Sequence, residues 1–427
     1  MNIPNNITNY LQKRAYHNWK IENDHQKFFQ KIIVVPSIAE TAHLPALILS
    51  LEQNDKLELH NTLLLIVINN SFAATAETKK DNQDSLAYLK KLKLKLQISF
   101  IDAASVRKEV DYKFAGVGLA RKIGMDLALT KFDYCSINKK IIICTDADCI
   151  VDSNYLSEIS QEFNRNNYEA AVVNFEHDIA GNDEETKAII CYEIFLRYYV
   201  LGLAYAKSDY AFHTIGSTML CTPEAYVKVE GMNKRKAAED FYFLEKLAKI
   251  YPIGEIKTTF VHPSKRGSWR VPFGTGKTVD RILSKSRNEY LLYDPEIFVI
   301  LKTWLEIFFD KLLIDYPSLI RIAKNIKPAL SQFLAQQDLE YFINTVIINN
   351  SNPAEIEKQK HFWFDAFKTL KLIHYLRDTA NPNINMFDAL DELFKLMNIN
   401  SSIKRNSVVP DLEIQREYLL LLRKIQS

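Results

Sequence analysis

The stretch KIIICTDADCI (residues 140–150) decides how the rest of the chain is read. Its positions 141–144 are all isoleucine or cysteine, the pattern of a strand buried on both faces, since a half-exposed strand alternates apolar with polar residues. Asp146 and Asp148 follow at once. A spacing of two puts both carboxylates on one side of an extended backbone. Comparable runs precede it at KIIVVP (31–36), TLLLIVI (62–68) and LQISFID (96–102), separated by amphipathic stretches at 44–58, 82–95 and 117–130. This alternation predicts an α/β fold with a mostly parallel mixed sheet flanked by helices. A second block, AAVVNF (170–175) together with 213–262, extends the sheet. Ligands in open α/β sheets bind beyond the carboxyl ends of the strands. The informative positions are therefore Pro36 to Glu40, Asn69-Asn70, Asp102, and Asp146 to Asp148.

Composition sets the frame around that core. With 427 residues, 47% hydrophobic and 25% charged, wholesale disorder is excluded and two or three domains are expected. Fifty-four Lys and Arg against 52 Asp and Glu leave a net charge of +2, which gives no global drive toward nucleic acid. The five cysteines form no CxxC pair and no signal peptide is evident, so reduced thiols and a cytoplasmic location are expected. No run of 18 uninterrupted apolar residues occurs. The nearest, IFVILKTWLEIFFDKLLI (297–314), carries Lys302, Glu306 and Asp310 at helical spacing and reads as a core-packed helix. Contact of that helix with a membrane surface or a partner, and self-association, stay open. All eleven glycines lie between Gly116 and Gly276, which marks a change of character. The expected organisation is an arm at 1–30, an α/β domain at 31–280 and an all-α domain at 281–427.

The chemistry-bearing residues cluster in the glycine-containing part. Two carboxylates held together at a strand end call for a cation, and hard oxygen ligands suit magnesium or manganese. A second acidic pair, Glu239-Asp240, heads the amphipathic stretch AAEDFYFLEKLAKI (237–250), where first-turn acids also favour the helix dipole. Upstream, Gly216-Ser217 offers a place where a ligand can approach the backbone closely. Downstream, VHPSKRGSWRVPFGTGK (261–277) brings His262, Lys265, Arg266, Arg270 and Lys277 into one basic loop suited to phosphates. Gly276-Lys277-Thr278 is not a P-loop, because Val271 stands where that motif needs glycine.

The order of these pieces resembles the inverting family 2 nucleotide-sugar glycosyltransferases with a GT-A fold. The resemblance runs through Pro36-x-x-x-Glu40, Asn69-Asn70-Ser71, Gly118-Leu119-Ala120-Arg121, Asp146-Ala147-Asp148, Gly216-Ser217-Thr218, Gly231-Met232 and Glu239-Asp240, over about 31–280. It implies that Glu40 contacts the ribose or base and that Arg121 approaches the nucleotide or its phosphates. Asn70 stands where the family commonly has an aspartate that reads uracil. An amide both donates and accepts, so a UDP-sugar is favoured while a GDP-sugar stays open. By the same likeness Asp146 lies near the ribose and metal, Asp148 ligates Mn2+ or Mg2+ directly, and His262 completes the metal site. Asp240 is the general base that deprotonates an acceptor hydroxyl, with Arg266, Arg270 and Lys277 clamping the diphosphate. The expected partners are the donor and a glycan or other hydroxyl acceptor, in polysaccharide or glycoconjugate synthesis.

Two rivals remain at this point. KIIICTDADCI also resembles the nucleophile motif of haloacid-dehalogenase-like phosphatases, with Asp146 phosphorylated, although that motif normally opens its fold. A nucleotide-sugar-binding scaffold without turnover is the other. The acids at 146, 148 and 240 speak against it.

Overall fold

Apolar runs without alternation need cover on both faces, and the central strands receive it from helices on either side. The computed structural model describes residues 3–25, 27–266, 290–310 and 315–427. The described residues form two units by their internal packing, one drawn from 1–180 and 214–280, the other from 181–213 and 281–426.

The first unit opens with α1 (Asn5–Arg14), β1 (Ile21–Glu22), β2 (Lys31–Ser37), α2 (Leu44–Glu52), α3 (Lys56–His60) and β3 (Thr62–Asn69). It continues with α4 (Ala76–Lys91), β4 (Gln97–Ala103), α5 (Val117–Ala128), β5 (Ile141–Cys144), β6 (Ile150–Val151), α6 (Tyr155–Asn166) and β7 (Ala170–Phe175). The chain then contributes α7 (Glu184–Tyr205) to the second unit before β8 (Met219–Cys221), α8 (Pro223–Lys228), α9 (Glu239–Ala248) and β9 (Ile253–His262) complete the first. Among the described residues nine strands form one sheet in the order β1-β4-β3-β2-β5-β8-β7-β9-β6. The long pairings β4–β3, β3–β2, β2–β5 and β7–β9 are parallel, while β8 runs antiparallel to both its neighbours and β1 and β6 are antiparallel edges. The mostly parallel mixed sheet flanked by helices is thus the observed fold.

Alternate residues of the strands pack to opposite sides. Ile33, Val35, Leu64, Ile66, Ile141 and Ile143 face a core completed by α2, α4 and α6. The opposite face carries α5, which lies so close that a Cβ on Gly124 would stand 2.4 Å from Val34 Cγ1 and 2.8 Å from Val67 Cγ2. Local capping explains where helices depart from the expected spans. The stretch 44–58 breaks into α2 and α3 because Asp55 accepts from the Leu57 and Glu58 amides at 2.8 and 3.4 Å and starts a new helix. Helix α4 begins earlier than 82 because the Thr75 hydroxyl caps the Thr78 amide at 3.2 Å.

The N-terminal segment is docked through a buried polar knot. The Tyr10 hydroxyl bonds Asp126 Oδ1 and Lys122 Nζ, both at 2.8 Å, and Tyr226 donates to the same carboxylate at 2.7 Å. Gly231, at φ +70°, leaves room for it, since a Cβ there would fall 1.9 Å from the Tyr10 oxygen. Such a knot costs little only when every member is bonded.

Among its described residues the second unit is helical apart from one small ribbon. Its helices include α7, α10 (Glu296–Phe308), α11 (Tyr316–Ile326), α12 (Pro328–Ala335), α13 (Pro353–Trp363), α14 (Ala366–Thr379), α15 (Met386–Leu396) and α16 (Leu412–Gln426). A ribbon of β10 (Leu291–Leu292) with β11 (Ile384–Asn385), absent from the all-α expectation, lies among them. Helix α7 is long and apolar enough to cross a membrane, but 67% of its apolar window is buried in the protein. Glu193 and Arg197 within it are fully buried and paired at 2.7 Å, and Arg423 of α16 joins Glu193 at 2.8 Å, as in a core helix. The apolar face of α10 is likewise internal, with Trp304 and Phe308 buried. Residues 311–314 of the stretch singled out above lie outside the described residues.

The contact beneath Gly124 yields a direct prediction. Gly124→Ala should destabilise the protein by roughly 1–3 kcal/mol through overpacking, against about 1 kcal/mol of helix-propensity gain. Urea unfolding measures the net loss, and pairing the change with Val34→Ala should recover part of it.

Candidate functional site

The site lies where the order of the strands reverses. From β2 the chain proceeds to β3 and β4 on one side, then crosses back to β5 on the other, so the topological switch falls between β2 and β5. The two strands pair as far as Val34 and Cys144, and the Thr145 amide still reaches the Val34 carbonyl at 3.3 Å. Beyond that, β2 runs on to Ser37 against β3, whereas the other chain turns, with Cys149 N–H bonding the Asp146 carbonyl at 3.1 Å. Pro36, which has no N–H to give, lies in this stretch, where β2 has no pairing on the β5 side. The strand ends at such a switch point form the crevice of open α/β sheets, and here Glu40 follows β2 on one side and Asp146-Ala147-Asp148 follows β5 on the other, with Arg266 between them.

Two arginines tie the acids of this region together. Arg266 reaches both lips, with its Nη2 at 2.7 and 2.8 Å from the Glu40 oxygens and its Nε and Nη2 at 3.0 and 2.8 Å from Asp148 Oδ2. His43 Nδ1 stands 3.1 Å from the same Glu40. Arg121, from the buried face of α5, is only 2% exposed and is bonded through one guanidinium nitrogen to Asp146 and through the other to Glu239. Gly216 makes that possible, because a Cβ there would lie 2.4 Å from Arg121 Nη2. The close approach foreseen at Gly216 is thus made by a guanidinium, and Ser217 beside it is buried.

Backbone strain accompanies the acids. Ala39 and Ala238 adopt left-handed φ values of 52° and 57°, and each immediately precedes a site carboxylate, Glu40 and Glu239. Alanine there costs roughly 1–2 kcal/mol and persists only where the surroundings enforce it. The Ala39 amide is held by Asn82 Oδ1 at 2.9 Å, and the Asn233 side chain holds the Glu239 carbonyl at 2.8 Å.

The acid pair at the head of α9 is shifted upward. Burial pushes the Glu239 carboxyl up to about 7, opposed by the Arg121 charge. Burial likewise raises half-buried Asp240, with the Arg121 charge and the Phe241 amide pulling the other way and the Asp146 charge adding to the rise. Arg121 itself is raised despite its burial, because Asp146 and Glu239 favour its charge. A carboxylate held above its ordinary range beside the Asp146 and Arg121 charges is a candidate general base.

Not every residue singled out from the sequence joins this group. Asn70 is fully buried, its amide donating to the Ser71 and Ala104 carbonyls at 3.1 and 3.3 Å and accepting from Asn82 at 2.7 Å. Its side-chain hydrogen bonds tie the end of β3 to the end of β4. His262 has both ring nitrogens engaged, by Asp152 at 2.8 Å and the Glu176 carbonyl at 3.2 Å, and stacks on Phe260. It anchors the end of β9 and is not gathered with Asp146 and Asp148. Arg270 and Lys277 lie outside the described residues. The link between Asp146 and Glu239 through Arg121 is the feature that the sequence reading missed. Its one trace is a charged Arg121-Lys122 pair inside a helix that is otherwise buried and largely apolar.

The donor set suits a hard divalent ion in part. Glu40 and Asp148 already converge on one cationic group, and carboxylate oxygens are the ligands magnesium and manganese prefer. Among the described residues no group of three or more His, Cys, Asp or Glu side chains is arranged around a common point for a metal. One or two carboxylates with substrate phosphates is, however, the usual magnesium arrangement.

No family model matches the chain. No curated protein matches it. Among solved structures it is similar to S. aureus TarS 1-349 in complex with UDP-GlcNAc, at 12% identity over 78% of this chain and 89% of that one, with a TM-score of 0.38. It is also similar to the mannosyltransferase PcManGT from Pyrobaculum calidifontis in complex with GDP-Man and Mn2+, at 14% identity over 87% and 90% of the two chains, with a TM-score of 0.37.

The Arg121 pairing has a signed consequence. Arg121→Gln should cost about 3–5 kcal/mol, because it strands Glu239 in a buried site. An acid whose folded pKa is raised contributes stability that is full below its unfolded value and lost as pH climbs through the folded one. Removing Arg121 raises Glu239 and Asp240 further, so the destabilisation should be larger near pH ~8 than near pH ~5 in urea titrations. Equal destabilisation at both would contradict the pairing.

Proposed function

We propose that the chain is a nucleotide-sugar-dependent glycosyltransferase whose catalytic body is the α/β part at about 31–280. The observation that carries this reading is the convergence of acids from three segments, Glu40, Asp146-Ala147-Asp148 and Glu239-Asp240, on two arginines at the strand-order switch. A ligand there meets one carboxylate-rich lip that can share a cation with a diphosphate and one shifted carboxylate that can accept a proton.

The reaction follows from what each group can do. Asp240 takes the proton of an acceptor hydroxyl as that oxygen bonds to the anomeric carbon. The bond from that carbon to the diphosphate oxygen breaks, and its electron pair leaves with the nucleoside diphosphate. Attack opposite to the leaving group inverts the anomeric centre. Glu40 orients the nucleotide, Arg121 holds Asp146 and Glu239 in place, and Arg266 exchanges its carboxylate partners for phosphate oxygens. Asp146 and Asp148 would hold Mg2+ or Mn2+, which supplies charge neutralisation on the departing diphosphate. A UDP-sugar is the favoured donor and a GDP-sugar the alternative.

The phosphatase rival is disfavoured at Asp146. A carboxylate tied to a buried guanidinium is a poor nucleophile, and three longer parallel strands precede it in the chain.

Two measurements test the proposal. UDP or GDP with Mn2+ should raise the melting temperature, and Asp240→Asn should keep that shift while abolishing release of nucleoside diphosphate from the donor sugar. No shift with any nucleoside diphosphate, or full turnover in the variant, would sink it. Because burial holds Asp240 high, kcat/KM should fall on an acid limb above the ordinary carboxylate range near ~4. A limb at or below that range would remove Asp240 from the role of base.

A further inference from the structure

Ahead of Glu239-Asp240, and separated from it by Ala237-Ala238, the chain carries Lys234, Arg235 and Lys236, all exposed. Among the described residues none of the three has a carboxylate partner. Each instead lies over an aromatic face. Lys234 Nζ is 4.6 Å from the Tyr16 ring and 5.6 Å from Phe114, Arg235 is 3.7 Å from Tyr242, and Lys236 Nζ is 4.6 Å from Tyr112. Exposed Lys113, 5.5 Å from the Phe114 ring, adds a fourth cation on the neighbouring loop.

The loop is built, not merely exposed. Its backbone is pressed against the start of α5 at two glycines, where a Cβ on Gly116 would stand 2.7 Å from Lys236 Cα and one on Gly118 would stand 2.4 Å from the Arg235 carbonyl oxygen. Asn233 pins both of its ends, accepting from the Arg235 amide at 3.0 Å and donating to the Glu239 carbonyl at 2.8 Å. The same residue thus fixes the cations and the acid pair that contains Asp240.

A cation held by a ring face keeps its hydrogen-bond donors available to an incoming anion, whereas one paired with a carboxylate does not. With a net charge of only +2 on the whole chain, four unneutralised cations around one loop are a local feature. We propose that the Lys234-Arg235-Lys236 loop is an acceptor subsite for an anionic saccharide, one bearing carboxylate or phosphate groups. This rests on the glycosyltransferase reading, because the loop leads into the acid pair that contains the base and is tied to it through Asn233. Glu109 and Asp111 interrupt the cations of the neighbouring loop, which favours a discrete anionic chain over a broad anionic membrane.

The test uses fluorescence polarisation with labelled oligogalacturonate, labelled phosphopentamannose and the neutral methyl ester of the first, on the full chain. Either anionic probe should bind in a salt-sensitive way, and the neutral ester should not. Lys234→Ala/Arg235→Ala/Lys236→Ala should weaken binding roughly ten-fold or more while leaving the melting shift with UDP or GDP intact. Gly116→Ala, which keeps every charge but displaces the loop, should weaken it too. Undiminished binding by the triple variant, equal binding of the ester, or loss of the nucleotide shift in its place would overturn the inference. So would capture by phosphatidylglycerol vesicles with no binding of either saccharide. A missing nucleotide shift in the unaltered protein would instead strike the glycosyltransferase reading, leaving the saccharide result to stand or fall by itself.

Discussion

One buried guanidinium holds this site together. Arg121 reaches from α5 to Asp146 at the end of β5 and to Glu239 at the head of α9, partners 25 and 118 residues away in the chain. A charge taken out of water needs partners of opposite charge, so these three side chains constrain one another and the elements that carry them. Gly216 gives up its side chain to make room, and Ala238 accepts a strained backbone to aim the acid pair. Those are costs that a purely structural helix start would not need.

The second constraint is topological. Reversal of strand order between β2 and β5 leaves a crevice whose lips carry Glu40 and Asp148, and Arg266 spans it. Two acids otherwise crowded at strand ends thereby share a cation from within the chain. A phosphorylated ligand with a cation offers the same compensation from outside. The proposed exchange is one of partners, from carboxylates to phosphates, and it keeps each charge satisfied before and after.

Much of this was legible in the sequence because the signals were local. Runs such as TLLLIVI can be buried on two faces only in a sheet with helices on both sides, and β3 matches that run to within one residue. The Asp146 and Asp148 pair after its strand, and Glu239-Asp240 at a helix head, likewise depend on nearest neighbours. Long-range pairing was not legible. Nothing near Arg121 says that its partners are acids, nothing near Asn70 says that Asn82 and two carbonyls will consume its amide, and nothing near His262 announces Asp152. The grouping of 181–213 with the C-terminal helices escaped for the same reason, since it rests on packing such as Glu193 against Arg423 across 230 residues. The string Lys234-Arg235-Lys236 stands in the sequence, but nothing beside it announces the four rings and two glycines that surround it in the fold.

A crystal structure grown with UDP and Mn2+ addresses the central claim most directly. The account predicts diphosphate density in the crevice between β2 and β5, beside Asp148, with the Arg266 guanidinium moved from Glu40 onto a phosphate oxygen. Nucleotide bound elsewhere on the molecule, with Arg266 still bridging Glu40 and Asp148, would contradict it.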